Sequence, residues 1–200
     1  MQIENNKEEV PFSYYAARFA EADLGEISNR LDLPFVDGSF RVELMGKEYK
    51  ITSEPKIYAV EQQEPPLPVQ TFLLRYLLEG KKISWGGGWK TFREMPWGEL
   101  YIKPYTGRVL TRAAFTLGTR VAAFKKAAQA MGAQEVKSGD AGFLFPLVGE
   151  YAMQILVWEG DEEFPPSAQV LYSDNFAEGF AAEDRVVAGD ILIGTIKSYM

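Results

Sequence analysis

Neither cysteine nor histidine occurs among the 200 residues of this chain. Without imidazole or thiolate there is no Ser-His-Asp or Cys-His activation of a nucleophile and no disulfide. Haem, zinc and iron–sulfur groups held by His or Cys ligands are excluded on the same ground. Catalysis would have to run on carboxylates, Lys, Tyr, Ser or a borrowed cofactor. A bound metal would have to be a hard ion held by oxygens, such as Mg²⁺, Ca²⁺ or Mn²⁺. Long apolar runs are missing too, since no stretch approaches the roughly 20 residues that span a bilayer. Positive charge is short: 21 basic residues against 28 acidic ones give a net −7. That balance repels polyanions and argues against nucleic acid or an anionic membrane as partner. The first ten residues are polar and acidic rather than basic-then-apolar, so they do not read as a secretory leader, and the expected location is the cytoplasm.

What is present suffices for one hydrophobic core, and a single domain over 1–200 is expected, with residues 1–9 as a flexible tail. Phe12, Tyr15, Ala16, Phe19 and Ala20 recur at helical spacing behind Pro11, and Ser28, Asp32 and Pro34 break the pattern. Alternation from Phe40 and again from Tyr49 around Met45-Gly46-Lys47 predicts a hairpin, with a third strand over 56–60. A helix carrying Val69, Phe72, Leu73, Tyr76 and Leu77 should end at Gly80 in a left-handed cap. The longest helix is expected within 100–134 on the stripe Leu110, Ala114, Leu117, Val121, Phe124, Ala128 and Met131, ending at Gly132. Strands over 134–158, a short strand over 168–172, an N-cap at Asp174 and a final helix opened by Glu183-Asp184 complete the chain. Helices and hairpins alternate without a βαβ rhythm, so the expected class is α+β, a mixed or antiparallel sheet with packed helices.

Several segments together resemble one family. They are Trp89-Lys-Thr-Phe-Arg-Glu-Met-Pro-Trp-Gly-Glu-Leu-Tyr, Ser138-Gly-Asp-Ala, Trp158-Glu-Gly-Asp-Glu-Glu-Phe-Pro-Pro-Ser-Ala, Leu171-Tyr-Ser-Asp and Glu183-Asp184. In order and spacing from about 69 to 196 they are similar to the DUF3786 family, found mainly in anaerobic bacteria and archaea. The resemblance implies a single domain. It assigns no reaction and no catalytic residue, and the iron–sulfur module that some members carry is absent here.

Two loops stand out as candidate sites. Glu159, Asp161, Glu162 and Glu163 crowd four carboxylates after an apolar strand, where like charges repel unless compensated. One reading is a hard-metal site of Asp140, Asp161, Glu163 and Asp174, or a carboxylate acid–base pair; the other is a solvated turn. The spacing is not that of an EF-hand. The second loop, Trp85-Gly-Gly-Gly-Trp-Lys-Thr, lacks the spacing of either glycine-rich phosphate motif. Trp85, Trp89 and Trp97 either offer flat faces to a ligand or fold inward. The candidate ligand-binding set is Trp85, Trp89, Arg93, Trp97, Trp158, Glu159, Asp161 and Glu163, the two loops forming one rim. Arg108, Arg112 and Arg120 either hold an anion or lie against the acidic C-terminal third, and Pro165-Pro166 permits a cis bond. The function expected is a ligand- or partner-binding accessory protein, with a metal-assisted hydrolase or lyase as alternative and Arg93 as its anion clamp. A purely structural subunit interface covering Trp85, Trp97 and Phe164 is the third possibility.

Overall fold

The computed structural model describes residues 6–59 and 63–200. The class is α+β, with seven α-helices and eight strands among the described residues. Contacts group the chain into two compact units, 1–82 and 83–200. Of the tail expected over 1–9, residues 1–5 lie outside the described residues, and from Asn6 onward the chain is helical.

The first unit begins with α1 (Asn6–Ala20), which carries Pro11 inside the helix rather than at its start, and α2 (Leu24–Leu31). Ser28 does not interrupt α2, which opens instead at Asp23, whose Oδ1 accepts the amides of Gly25 at 2.8 Å and Glu26 at 3.1 Å. Strands β1 (Ser39–Leu44) and β2 (Lys47–Thr52) pair antiparallel, and β3 (Ile57–Ala59) adds to β2, with Val60 of the expected strand outside the described residues. The two-residue turn has Met45 and Gly46 both at positive φ, the geometry that matches the twist of a tight hairpin. Helix α3 (Leu67–Glu79) ends without the expected left-handed cap, because Gly80 has φ −63° and ψ 159°. Glycine serves there for proximity: a Cβ would lie 2.3 Å from the Tyr76 carbonyl oxygen. The open end of α3 is closed by Arg30, whose Nη2 donates to the carbonyls of Leu77 (2.7 Å) and Leu78 (3.2 Å).

The second unit is built on an antiparallel sheet in the order β6 (Ala141–Val148), β7 (Tyr151–Trp158), β8 (Ser167–Ser173), β4 (Trp89–Thr91), with β5 (Gln134–Glu135) on β6. Strand β7 is buried from Tyr151 to Val157 on both faces, which explains its unbroken apolar sequence. Helices α5 (Val121–Ala130), α6 (Phe176–Gly179) and α7 (Ala182–Ser198) complete it.

The single long helix expected over 100–134 is divided. Helix α4 (Gly98–Tyr105) contains Pro104, followed by π-helical stretches Thr106–Thr111 and Ala114–Gly118 and a break at Arg120 (φ −145°) before α5. Proline removes the N–H that would close the preceding turn, and the wider π turns shift which side faces inward. Val109 and Ala113 are therefore fully buried while Leu110 is only half-buried. Gly189 on α7 permits close helix approach, since a Cβ there would lie 2.8 Å from both methyls of Val109.

Candidate functional site

Strand β8 separates the two candidate loops. At one end Trp89 pairs with Ser173, and at the other Trp158 pairs with Ser167. The six residue steps from Ser167 to Ser173 correspond to about 20 Å of strand at about 3.3 Å per residue. The single rim expected from the sequence is thus two separate corners.

The glycine-tryptophan corner is clasped by Asp174. Its Oδ1 accepts the Gly86 amide and its Oδ2 the Gly88 amide, each at 3.0 Å, and its own N–H donates to the Gly88 carbonyl at 3.1 Å. A Cβ on Gly86 or Gly88 would fall 2.8 or 2.7 Å from Asp174 Oδ2, so the glycines are required by the closeness of the carboxylate. The expected helix N-cap role of Asp174 is not met, because α6 begins after Asn175 and no side chain caps it. Trp85 donates its indole N–H to the Gly88 carbonyl at 2.8 Å and meets Trp89 edge-on, ring centroids 4.9 Å apart. Both rings are half-buried, packed as part of the turn.

The acidic corner brings together Asp140, Trp158, Glu159, Asp161 and Glu163. Asp140 Oδ2 accepts the Glu159 amide at 2.8 Å while its N–H bonds the Val157 carbonyl at 2.9 Å, tying the turn at 138–140 across the end of β7. Asp161 Oδ1 accepts the amides of Glu163 (2.8 Å) and Phe164 (2.7 Å), folding the loop on itself. Glu159, Glu162 and Glu163 are exposed. No group of three or more acidic side chains among the described residues is arranged to hold a metal ion. Asp174 belongs to the other corner, so the proposed ligand set of Asp140, Asp161, Glu163 and Asp174 is not assembled. No peptide bond among the described residues is cis, and Pro165-Pro166 does not kink the loop that way. Gly118 sits against this corner, where a Cβ would lie 2.8 Å from the Pro166 ring and 3.0 Å from the Trp158 carbonyl. Exposed Phe115 belongs to the same π turn, and Phe164 is 67 % exposed at the loop's tip.

The basic residues of the helical run meet acids on α7 rather than this loop. Arg108 reaches Asp190 at 2.6 Å and Glu183 at 3.3 Å, and Arg112 reaches Asp190 at 3.0 Å. Arg120 turns back to its own Thr116 carbonyl at 3.2 Å. Arg93, the expected anion clamp, forms an exposed pair with Glu99 at 3.0 Å.

A third feature lies between β4 and α4. After β4 the chain makes a 3₁₀ turn, Phe92–Glu94, closed by reciprocal bonds between Thr91 and Glu94, which hold the Glu94 carboxyl below its ordinary range. Trp97 follows in a left-handed conformation (φ 65°) and starts α4. It is 69 % exposed, Leu100 is 73 % exposed, and Tyr101 is exposed as well. The spacings of three and four residues place all three on one side of the helical start. Beneath them lies Arg185 of α7, 1 % exposed, donating through Nη2 to the Pro96 carbonyl at 2.7 Å and through Nε to Ala181 at 3.3 Å. Its guanidinium stands 5.7 Å from the Phe92 ring centroid, and Phe92 stacks on Tyr105 at 4.0 Å. The Arg185 carbonyl accepts the Tyr172 hydroxyl at 2.9 Å. Burial pushes the Tyr105 and Tyr172 phenols up and the Arg185 guanidinium down. The signal in the sequence was Arg185 itself. It falls on the core stripe Ala182, Gly189, Leu192 and Ile196, where a cation is out of place.

No helix among the described residues is long and apolar enough to cross a membrane. Comparison with curated proteins and with solved structures gives no match in either case. The family model for the domain of unknown function DUF3786 aligns with residues 23–195, through parts of both units, and the chain belongs to the DUF3786 family.

Proposed function

We propose that this protein is a cytosolic binding or accessory protein that engages a partner protein through the aromatic turn at the start of α4, with the acidic loop as a second, separate contact surface. One observation supports this above the rest: Trp97, Leu100 and Tyr101 stand exposed within one helical turn. Covering apolar surface is favourable by roughly 25 cal/mol per Å², and Trp and Tyr are frequent anchors of protein interfaces. The turn is held from below by the Arg185 bond to Pro96, and Gly98 packs so closely that a Cβ would lie 2.0 Å from the Phe92 carbonyl oxygen. A face already ordered loses little entropy when a partner docks. The hydrolase or lyase reading has less support, because the oxygens of Asp140, Asp161 and Asp174 named above are engaged by backbone amides.

The test compares tagged wild type and Leu100→Glu as baits in an extract of cells that make the protein. Wild type is expected to recover one protein in near-stoichiometric amount. The variant should lose it while melting at the same temperature, since Leu100 is exposed. Equal recovery by both baits refutes the use of this face.

A further inference from the structure

Arg185 lacks what a buried cation ordinarily has. A guanidinium carries five N–H donors. Among the described residues its hydrogen-bond acceptors are two backbone carbonyls, and Nη1 has no hydrogen-bond partner. The side chain is 1 % exposed, so water in bulk does not serve instead. Buried charges are as a rule paired with an opposite charge, and an unpaired buried donor calls for an explanation. Asp184, the neighbouring residue on α7 and also buried, lends a favourable field, yet the loss of hydration outweighs it and the guanidinium is pulled below its ordinary value. Aromatic rings fill the surroundings: Phe92 lies under the guanidinium, with Tyr105 and Tyr172 packed against Phe92.

The cover over this cation is thin. Pro96 and Trp97 are both exposed, so the guanidinium lies one residue below the surface. Among the described residues Trp97 is one of four non-glycine residues at positive φ, and no tight hairpin turn accounts for it. Such a backbone is strained and persists where the surroundings impose it.

We infer that Arg185 anchors a binding site for a small oxyanion, a carboxylate or a phosphate. The anion takes N–H groups of Nη1 and Nη2 in a forked pair, the Nη2 bond passing from the Pro96 carbonyl to the anion. Outward movement of the turn at 96–97 admits it. The site shares Pro96 and Trp97 with the face assigned to the partner but needs no partner, and its test reads the anion alone.

The experiment follows the melting temperature of the full chain against inorganic phosphate in one series and acetate in another, with ionic strength held constant by chloride. A saturable rise is expected with one of the two, roughly 5–10 °C at a hundredfold excess over the dissociation constant. Which series responds distinguishes phosphate from carboxylate. Arg185→Met keeps the stem and removes the fork, so it should abolish the rise, and Arg185→Lys should weaken it at least tenfold. Should Arg185→Met not fold, the nitrogen-bound proton signals of Arg185 in the wild type replace it, and saturable shifts on titration are expected there. No saturable response to either anion, an equal response in Arg185→Met, or unmoved Arg185 signals would each overturn the inference.

Discussion

Asp174→Ala isolates the clasp on the glycine-tryptophan loop. Two backbone amides converge on this carboxylate, Gly86 on Oδ1 and Gly88 on Oδ2, both at 3.0 Å. Hydrogen bonds to a charged group contribute about 1.5–3 kcal/mol each. Asp174 is half-buried, so water replaces part of the loss, and the lower end applies, about 3 kcal/mol for the pair. In a chain of this size about 1 kcal/mol moves the midpoint by about 2–4 °C, so a drop of roughly 6–12 °C is expected. Gly88→Ala should strike the same contact from the other side, because its Cβ would lie 2.7 Å from Oδ2. The double variant should therefore lose less than the sum of the two single losses. Thermal unfolding gives the midpoint, and hydrogen exchange at the Gly86 and Gly88 amides localises the change. An unchanged midpoint with both glycine amides still protected would refute the clasp.

At the acidic corner, titration of metal-stripped protein with Mg²⁺, Mn²⁺ or Ca²⁺ should leave the melting temperature unchanged, since Asp161 Oδ1 already serves two amides. A saturable rise that Asp161→Asn removes would restore the metal reading. Alkaline stability should report the buried phenols. Burial raises the Tyr105 and Tyr172 values, so the folded chain retains protons that the unfolded chain releases near about pH 10. Their contribution is complete below that point and is lost as pH climbs toward the folded values. Tyr105 faces Tyr172 but among the described residues its hydroxyl has no partner in hydrogen-bond geometry, so Tyr105→Phe should flatten this alkaline fall at little cost near neutrality. Tyr172→Phe breaks the bond to the Arg185 carbonyl and should cost about 1 kcal/mol. Urea unfolding of the two variants across this pH range measures both, and identical profiles would contradict the assignment.

Much of the architecture was legible because period and turn chemistry agreed. The alternation around Met45-Gly46 gave the β1–β2 hairpin, and the uninterrupted apolar run before Trp158 gave a strand buried on both faces. The long helix was legible as helix but not in its phase. Pro104 and the π turns reset the inward side from Leu110 to Val109, and a fixed 3.6-residue period cannot express that. Gly80 ends α3 through its close contact with Tyr76 rather than through the left-handed backbone its position predicts. The candidate carboxylates stand out in the sequence by their crowding over 159–163. Their partners, however, are amides such as Gly88 for Asp174 and Glu159 for Asp140, and these become neighbours only through strand pairing. Arg185 was visible only as a charge on an apolar stripe, and its burial depends on Phe92 and Pro96, about ninety residues earlier.

Whether the aromatic turn is the docking face is decided by the affinity of the recovered partner for purified wild type, Trp97→Ala and Leu100→Glu. Anchor residues at an interface typically contribute at least about 2 kcal/mol, so each variant should weaken the dissociation constant by about thirtyfold or more while its fold is unchanged. Dissociation constants equal to that of the wild type would show that this face is not where the partner binds.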